Sequence, residues 1–388
     1  MELLGSLVLL LVMFSIVGYL LIEWQYRQRP GNDLALSATD WRFDTYESDH
    51  YVLSFDTVFT NRTPALEIFI PEVSLDYELL SSSSLDGITV KTEITPAHTD
   101  FPARDDNYWF AYIVKVGKAT QAKIKVDITG ANLSQLKSLW LKVNYLTYGP
   151  EGRIPKTGHL IAPLKFPNPE DATHWRENSV AHVLPIPTHL LTNLDDTVEV
   201  VKKYVAPCAK PGDIVTIGET PVAIMQNRLR HPTTVKPGWL AKRLCYYFMP
   251  TSSLATACGM QTLIDVSGPW QVGGAFVLGA IAKIFGSPGM FYRLAGEQAR
   301  LIDDVTGTLP PFDQFIVLGP SHSQQLVDQI FQETGLKAAI VDVNDLKAVK
   351  ILAKSANTDE QLLIQALIDN PAGNADEQTP VVLIRPKA

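Results

Sequence analysis

Aspartate residues occupy the positions of this chain that could bind a metal ion. Two adjacent pairs, Asp195-Asp196 and Asp303-Asp304, flank a single Asp265 in the second half of the sequence. The eight histidines and three cysteines form no CxxC, HxH or HExxH pattern, so neither a structural zinc site nor a zinc hydrolase is expected. Any metal would therefore have oxygen ligands, and carboxylates suit Mg²⁺ or Mn²⁺.

Basic residues form a second group, which consists of Arg228, Arg230, Lys242 and Arg243. Such cations, together with a metal ion, stabilise the charge that develops during phosphoryl transfer. The group therefore favours a nucleotide or phosphate ligand. The glycines between positions 273 and 289 do not indicate a phosphate loop, because the segment is apolar and lacks a Gly-Lys-Ser/Thr ending. Close packing of small residues is the favoured interpretation.

The carboxylates also have purely structural interpretations. Asp195 fits a helix N-cap with Asp196 in the first turn, where the helix dipole favours acids. Asp303 and Asp304, followed by Gly307, fit a turn. Both interpretations remain open beside the metal interpretation.

The elements that must position these residues begin with a membrane segment. Residues 3–22 are an uncharged apolar run, close to the roughly 20 residues that cross a hydrocarbon core as a helix. Trp24 and Tyr26 would lie in the interfacial aromatic belt. No basic region precedes the run and no small-residue cleavage site follows it, so we predict an uncleaved transmembrane anchor over residues 1–26.

The sequence also predicts the side of the membrane. Only Glu2 precedes the run, whereas Arg27 and Arg29 follow it, and the positive-inside rule then places the rest of the chain in the cytoplasm. The three cysteines are too few and too unevenly spaced for a disulfide framework, which agrees with a reducing compartment. We expect a single-pass protein of the plasma or thylakoid membrane, with the lipid bilayer as a partner.

Composition bounds the rest of the chain. With 388 residues, 46% apolar and 19% charged, it is long enough for two domains with cores. The formal net charge of -8 argues against a nucleic-acid partner. Residues 39–150 alternate with the period of half-buried strands, for example at Leu53, Phe55 and Phe59. About seven short strands at this spacing predict a β-sandwich domain. Its segment VLSFDTVFTNRTPALEIF loosely resembles a late-embryogenesis-abundant/WHy-type sandwich, in which an Asn after the first strand begins a turn.

Residues 181–372 have the mixed pattern of an α/β (α+β) domain with a mixed sheet. A β-α-β unit is predicted from a strand at 315–318, through a helix capped by Ser321 and Gln324, to a strand at 338–341. A further buried strand is predicted at 214–217, a last helix is predicted to have Thr358 and Gln361 as its cap, and residues 373–388 form a tail that ends in an edge strand.

Two segments of this domain resemble the coenzyme F420 gamma-glutamyl ligase family, as a membrane-anchored bacterial or cyanobacterial variant. The first segment is IPTHLLTNLDDTVEVVKKYVAPCAKPGDIVTIGETPVAIMQNR, and the second is LIDVSGPWQVGGAFVLGAIAKIFGSPGMFYRLAGEQARLIDDVTGTLPP. The positions that correspond to the motifs of the family are Asp195, Asp196, Pro211, Gly212, Asp213, Arg228, Asp265, Gly268, Trp270, Gly273, Gly279, Asp304 and Gly307.

The resemblance implies nucleotide-driven amide formation with GTP (or ATP), glutamate and a divalent cation, Mg²⁺ or Mn²⁺. It implies metal ligands at Asp195, Asp196, Asp265 and Asp304, and nucleotide or phosphate contacts at Arg228, Arg230, Lys242 and Arg243. A glutamate substrate implies an arginine partner for its carboxylate, and Arg293 or Arg300 would serve. The partners would then be a nucleotide and a small acidic metabolite.

Some positions depart from the family. Where the ligases usually have a Ser-Lys pair and a Glu-Gly pair, this chain has Thr220-Pro221 and Gln226-Asn227. These changes remove a phosphate donor and a negative charge. Two functions are therefore predicted: a membrane-anchored gamma-glutamyl ligase-like enzyme, or a non-catalytic subunit or assembly factor that binds the subunits of a membrane protein complex with a degenerate ligase fold.

Overall fold

The computed structural model describes residues 2–28, 32–149, 152–172, 174–304, 309–343, 347–373 and 378–387. The chain begins with helix α1, Glu2–Gln28. Within it, Gly5–Tyr26 has a mean hydropathy of 2.5, and this is the one helix of the described residues that is long and apolar enough to cross a membrane. The side chain of Arg27 and all of Arg29 lie outside the described residues, so the predicted orientation stays a prediction.

The chain divides into two compact units. Unit 1 comprises Met1–Tyr77, Gly87–Leu133 and Leu141–Leu160, and unit 2 comprises Glu78–Asp86, Ser134–Trp140 and Ile161–Ala388.

After α1 come eight strands that form a β-sandwich-like arrangement, as predicted. They are β1 Leu34–Tyr46, β2 His50–Asn61, β3 Ile68–Ser81, β4 Thr89–Ala97, β5 Tyr112–Val114, β6 Ala119–Thr129, β7 Leu136–Gly149 and β8 Gly152–Pro163. One sheet has the order β1-β2-β6-β4 and the other the order β5-β3-β7-β8. The strands extend beyond both limits of the predicted segment 39–150: β1 begins at Leu34, and β8 lies wholly after residue 150.

The alternation on β2 is confirmed, since Leu53, Phe55 and Phe59 are all buried. The predicted Asn turn is present as well. The Asn61 side chain is 1% exposed, donates to the carbonyls of Leu66 and Val114, and accepts from the backbone N–H of Thr63. A buried amide with all these partners holds the β2–β3 connection in one conformation.

Unit 2 is built on a six-stranded mixed sheet. Its strands are β9 Arg176–Glu177, β10 Ala181–Ile186, β11 Ile214–Gly218, β15 Lys337–Val343, β16 Val349–Lys354 and β17 Val381–Pro386, in the order β16-β15-β11-β17-β10-β9. Only the β11–β15 pair is parallel among the strand pairs described for this sheet.

Helices cover both faces of this sheet. Alternate residues of β17 enter two different cores: Val381 and Leu383 pack with α2 (Thr197–Val200) and α9 (Ser323–Thr334), whereas Val382 and Ile384 pack with α10 (Glu360–Leu367). Burial of both faces explains why this strand is a continuous apolar run rather than an alternating one.

A smaller sheet and six α-helices of the described residues follow β11 and precede Ser323. Helix α3 spans Glu219–Met225, and the small sheet has the order β12-β14-β13, from β12 Leu229–Arg230, β14 Ile316–Val317 and β13 Asp303–Asp304. Helices α4 Trp239–Leu244, α5 Ala257–Ser267, α6 Pro269–Ile284, α7 Met290–Leu294 and α8 Gln298–Leu301 share a core that includes Met260, Leu263 and Phe291.

Three predictions about the second domain were wrong. The tail strand β17 lies between β10 and β11 instead of at an edge. The predicted β-α-β unit does not form, because β14 belongs to the small sheet, and the parallel partner of β15 is β11. The predicted helix caps differ by one residue: His322 rather than Ser321 precedes α9, and Asp359 rather than Thr358 caps α10.

Candidate functional site

The end of helix α3 determines where Arg228 lies. Asn227 adopts a left-handed conformation with φ 55°, its N–H donates to the carbonyl of Ile224, and the N–H of Arg228 donates to the carbonyl of Ala223. This pair of bonds is a Schellman motif, and Asn tolerates the left-handed position better than most residues. The motif ends α3 and places Arg228 immediately before β12.

Gln226 connects this helix end to the loop after β14. Its side-chain oxygen accepts from the N–H of Ser321 at 2.7 Å, and its side-chain nitrogen donates to the carbonyl of Ser321 at 2.8 Å. One side chain therefore satisfies both backbone groups of Ser321. A carboxylate could accept here but could not donate, so the amide of Gln226 has a structural role in this chain.

Arg228 lies half-buried beside the same loop. Its Nε donates to the carbonyl of Gly319 at 2.5 Å, and no carboxylate among the described residues pairs with its guanidinium. Burial and, to a smaller extent, the neighbouring Arg230 charge lower the pKa of Arg228. An anionic ligand would stabilise a half-buried cation that lies beside a second cation.

Arg230 holds Asp265 in place. The Arg230 guanidinium donates to Oδ2 of Asp265 at 2.5 Å, and the side-chain nitrogen of Gln261 donates to Oδ1 at 2.7 Å. The Gln261 oxygen accepts from the N–H of Gly238, the residue before α4. The ion pair is over a third exposed, so its own contribution to stability is small. Its importance is geometric, because it joins a predicted phosphate residue to a predicted metal ligand.

The small sheet aligns another predicted ligand with this pair. On β14, Ile316 has Arg230 as its partner on one side and Asp304 on the other. The backbones of Arg230 and Asp304 are thus at the same level of one sheet, separated by a single strand. Residues from three distant parts of the sequence meet here.

Asp195 and Asp196 are engaged elsewhere. Asp195 accepts from His189 Nε2 at 2.8 Å and from both the N–H and the hydroxyl of Thr192. These hydrogen bonds outweigh burial and lower the pKa of Asp195. His189 is 5% exposed, and its Nδ1 lies 2.7 Å from the Tyr204 hydroxyl. Asp196 is the N-cap of α2 and accepts from the N–H groups of Val198 and Glu199. A helix N-cap is therefore present, but at Asp196 and not at Asp195, where it was predicted.

The remaining predicted residues are exposed on the helices. Lys242 and Arg243 lie in the last turn of α4, and Arg293 lies in the last turn of α7. Arg300, at the end of α8, borders a cleft of about 390 Å³ whose lining includes Thr251, Ser252, Ser253 and Tyr292. A cationic side chain among hydroxyl-bearing residues is an arrangement that can bind a carboxylate.

No group of three or more His, Cys, Asp or Glu side chains suited to a metal ion occurs among the residues that the structure describes. Asp265 is the one predicted ligand whose described side chain lies beside a predicted phosphate residue, Arg230. Four residues that the sequence did not single out as site residues hold this region together: Gln226, Gln261, Gln298 and Ser321. Neutral amides carry no sequence signal of such a role.

Comparison with known families decides what the β segment is similar to. Residues 35–166 match the model of F420-0:gamma-glutamyl ligase, N-terminal Ig-like domain. The match covers about a third of the chain, and it lies on the strands rather than on residues 181–372, where the ligase resemblance was drawn. The match therefore concerns the β segment, and the resemblance drawn over residues 181–372 stays a prediction.

No curated protein matches the chain. Among solved structures, the GAE domain of yeast GGA1 is 14% identical with a TM-score of 0.20, and covers 35% of this chain and 96% of its own. The GAE domain of GGA2p from Saccharomyces cerevisiae is also 14% identical with a TM-score of 0.20, and covers 34% and 98%. A family 123 glycoside hydrolase from Clostridium perfringens is 12% identical with a TM-score of 0.15, and covers 31% and 23%.

Proposed function

We propose that this chain is a membrane-anchored gamma-glutamyl ligase-like protein whose unit 2 binds a phosphate-bearing acidic ligand at Arg228 and Arg230. The observation that carries the proposal is the match of residues 35–166 to the Ig-like domain of F420-0:gamma-glutamyl ligase. The half-buried position of the Arg228 cation beside a second arginine supports an anion at this position.

The reaction proposed is the ATP- or GTP-dependent joining of glutamate, or another amino acid, to an acidic acceptor. The acceptor carboxylate takes the terminal phosphoryl group and releases the nucleoside diphosphate, and the amine then displaces phosphate from the acyl carbon. Arg228 would hold the phosphoryl oxygens, and Arg300, in its hydroxyl-lined cleft, would hold the glutamate carboxylate.

A divalent metal fits only part of the predicted ligand set. Both oxygens of Asp195 accept hydrogen bonds within a buried cluster, and Asp196 caps α2. Neither carboxylate is suited to bind a metal ion, because each would lose these hydrogen bonds. Asp265 is over a third exposed and keeps lone pairs that Arg230 and Gln261 do not use. Asp265 and Asp304 are therefore the proposed ligands of Mg²⁺ or Mn²⁺, which would supply neutralisation of phosphate charge.

Titration calorimetry tests the proposal. The full chain in mild detergent is titrated with GTP and with ATP, with Mg²⁺ or Mn²⁺ and without either. We expect saturable, metal-dependent binding that Arg228→Gln weakens strongly, whereas Lys210→Gln, which removes an exposed cation after α2, leaves it unchanged. If alanine at both Asp265 and Asp304 leaves metal-dependent binding unchanged, the metal assignment fails. Absence of binding by a well-folded chain would reject the nucleotide site.

The rival proposal is a non-catalytic subunit or assembly factor of a membrane protein complex. The observation that favours it is the internal use of candidate site residues: Gln226 holds Ser321, Asp195 holds His189, and Asp196 caps a helix. Isolation of the tagged chain in mild detergent distinguishes the two. Recovery of a stoichiometric membrane complex without nucleotide binding supports the rival, whereas a chain recovered alone counts against it.

A further inference from the structure

Helix α6 exposes an apolar stripe along its whole length. The exposed fractions are 92% for Trp270, 57% for Val277, 55% for Leu278, 46% for Ile281 and 81% for Ile284, and the stripe continues to Phe285 at 82%. At 100° per residue these positions fall within an arc of about 120° on one side of the helix. The buried residues of α6 are Val272, Ala275 and Gly279, on the opposite side. The large side chains thus face outward and the small ones inward, the reverse of an ordinary surface helix.

The size of this stripe is unusual for a surface in contact with water. An aromatic side chain has about 150 Å² or more of surface, so Trp270 and Phe285 alone expose more than about 250 Å². With the four aliphatic side chains the stripe is an apolar patch of roughly several hundred Å², a size that often marks a functional surface. Such a patch indicates a binding surface.

A neighbouring segment extends the patch. Tyr246, Tyr247 and Met249, which follow α4, are 86%, 72% and 72% exposed. The ring of Tyr247 lies 5.4 Å from that of Phe276 on α6, so the two segments are adjacent. Aromatic rings with a polar edge are typical of residues at the level of lipid headgroups.

The charge of this region identifies the occupant. Between Trp239 and Leu294 the sequence has four cations, Lys242, Arg243, Lys283 and Arg293, against the single carboxylate of Asp265. The region therefore has a net charge of +3 in a chain with a net charge of -8. All four cations are exposed, and Asp265 is paired with Arg230. An exposed apolar helix face within a segment of net positive charge has the chemistry of an interfacial helix on an anionic bilayer.

We propose that the α6 stripe and the Tyr246–Met249 segment form a docking surface for an anionic lipid bilayer, with α6 lying in the plane of the headgroups. Helix α1 supports this occupant, because a chain tethered by a membrane-spanning helix would keep unit 2 close to lipid at high effective concentration. Docking by unit 2 is a second membrane contact, separate from the anchor and independent of any ligase activity.

Depth-dependent quenching of a fluorescent label tests this proposal on the full chain. The label is attached through Leu278→Cys after Cys208, Cys245 and Cys258 are replaced by serine, and a matched control carries it through Gln332→Cys on the exposed side of α9. Both chains are reconstituted into vesicles of phosphatidylcholine with and without phosphatidylglycerol. The quencher is a lipid spin-labelled near its headgroup.

We expect quenching at position 278 to be several-fold stronger than at position 332 in vesicles that contain phosphatidylglycerol. Adding Ile281→Glu should reduce it to the control value, and Lys242→Gln with Arg243→Gln should reduce it partly. Equal quenching at the two positions overturns the proposal. A second outcome also overturns it: in detergent without lipid, the label at position 278 becomes more shielded from solvent as the protein concentration rises. A second copy of the chain would then cover the stripe.

Discussion

At the scale of single residues, neutral amides organise the candidate site more than its charges do. Gln226 satisfies both backbone groups of Ser321, and Gln261 joins Asp265 to the start of α4. Gln298 is also neutral, and its side-chain oxygen accepts a hydrogen bond from the N–H of Gly319. The bonds of Gln226 and Gln298 fix the loop, residues 319–321, against which Arg228 lies.

The first prediction concerns the Gln226 contact. Gln226→Glu keeps the acceptor for the N–H of Ser321 but places an anionic oxygen against its carbonyl, so local stability should fall by about 1–3 kcal/mol. Hydrogen exchange of the Ser321 amide should then be faster by about 5- to 150-fold. Gln329→Glu, on the exposed face of α9, is the control and should leave that amide unchanged. Unaltered exchange in the Gln226 variant would show that the loop is held by other contacts.

The second prediction concerns the buried cluster around Asp195. Asp195→Asn replaces a charged acceptor with a neutral one and requires the His189 tautomer whose Nε2 accepts from the new NH₂, so the variant should lose about 1–3 kcal/mol at neutral pH. Asp196→Asn is the matched control, because asparagine caps a helix about as well as aspartate. Denaturant unfolding of the full chain in detergent measures both.

The effect of pH on the stability lost in Asp195→Asn follows from the lowered pKa of Asp195. A carboxyl whose pKa is lower in the folded state stabilises that state fully above its unfolded pKa of about 3.9, and this contribution is lost as the pH falls through the folded value. The stability difference between the wild-type chain and Asp195→Asn should therefore shrink as the pH falls below about 4. A difference that grows in acid would contradict the assignment.

At the scale of elements, helix α6 packs through small residues. An added Cβ at Gly279 would lie 2.9 Å from the backbone nitrogen of Phe291 on α7, whereas an added Cβ at Gly274 would meet nothing within 4 Å. Gly279→Ala should therefore destabilise unit 2 by about 1–3 kcal/mol through overpacking. Gly274→Ala, on the same helix, should stabilise it by about 0.5–1 kcal/mol. Thermal unfolding midpoints should move in opposite directions, and a shift in the same direction would show that α6 does not pack on α7 in this way.

The elements also show what the sequence could and could not predict. Strand β2 was predicted because its one buried face imposes a period of two, which is visible locally at Leu53, Phe55 and Phe59. The position of β17 in the sheet was not predicted, because an apolar run such as residues 381–384 fits a buried strand anywhere in a sheet. Sheet order depends on contacts between distant segments, and these have no local signature.

The candidate site follows the same distinction. Arg228, Arg230 and Asp265 were proposed from residue type and family resemblance, and the fold brings Arg230 and Asp265 into contact. Their roles stay predictions. The internal roles of Asp195 and Gln226 could not be foreseen, because both depend on partners that the fold supplies: His189 in a buried cluster and Ser321 almost a hundred positions away. An acidic or amide side chain looks the same in a sequence whether it faces a ligand or its own backbone.

At the scale of the whole molecule, the last prediction concerns membrane attachment through α1. Leucine, isoleucine, phenylalanine and valine each favour insertion by about 0.3–0.6 kcal/mol at the helix centre, whereas an arginine there costs about 2.5–3.5 kcal/mol. Leu10→Arg combined with Phe14→Arg should therefore abolish spanning. Trp24→Arg combined with Tyr26→Arg is the matched control, because arginines near the end of the span can reach the headgroups.

Alkaline carbonate extraction measures the outcome, since it removes peripheral proteins and leaves spanning ones in the membrane fraction. The wild-type chain and the control should stay with the membrane, and the central double variant should be released. Release of the wild-type chain would mean that α1 does not span, and unit 2 would then reach lipid only through the α6 stripe. Retention of the central variant would be equally informative, because the attachment would then have to come from outside Gly5–Tyr26.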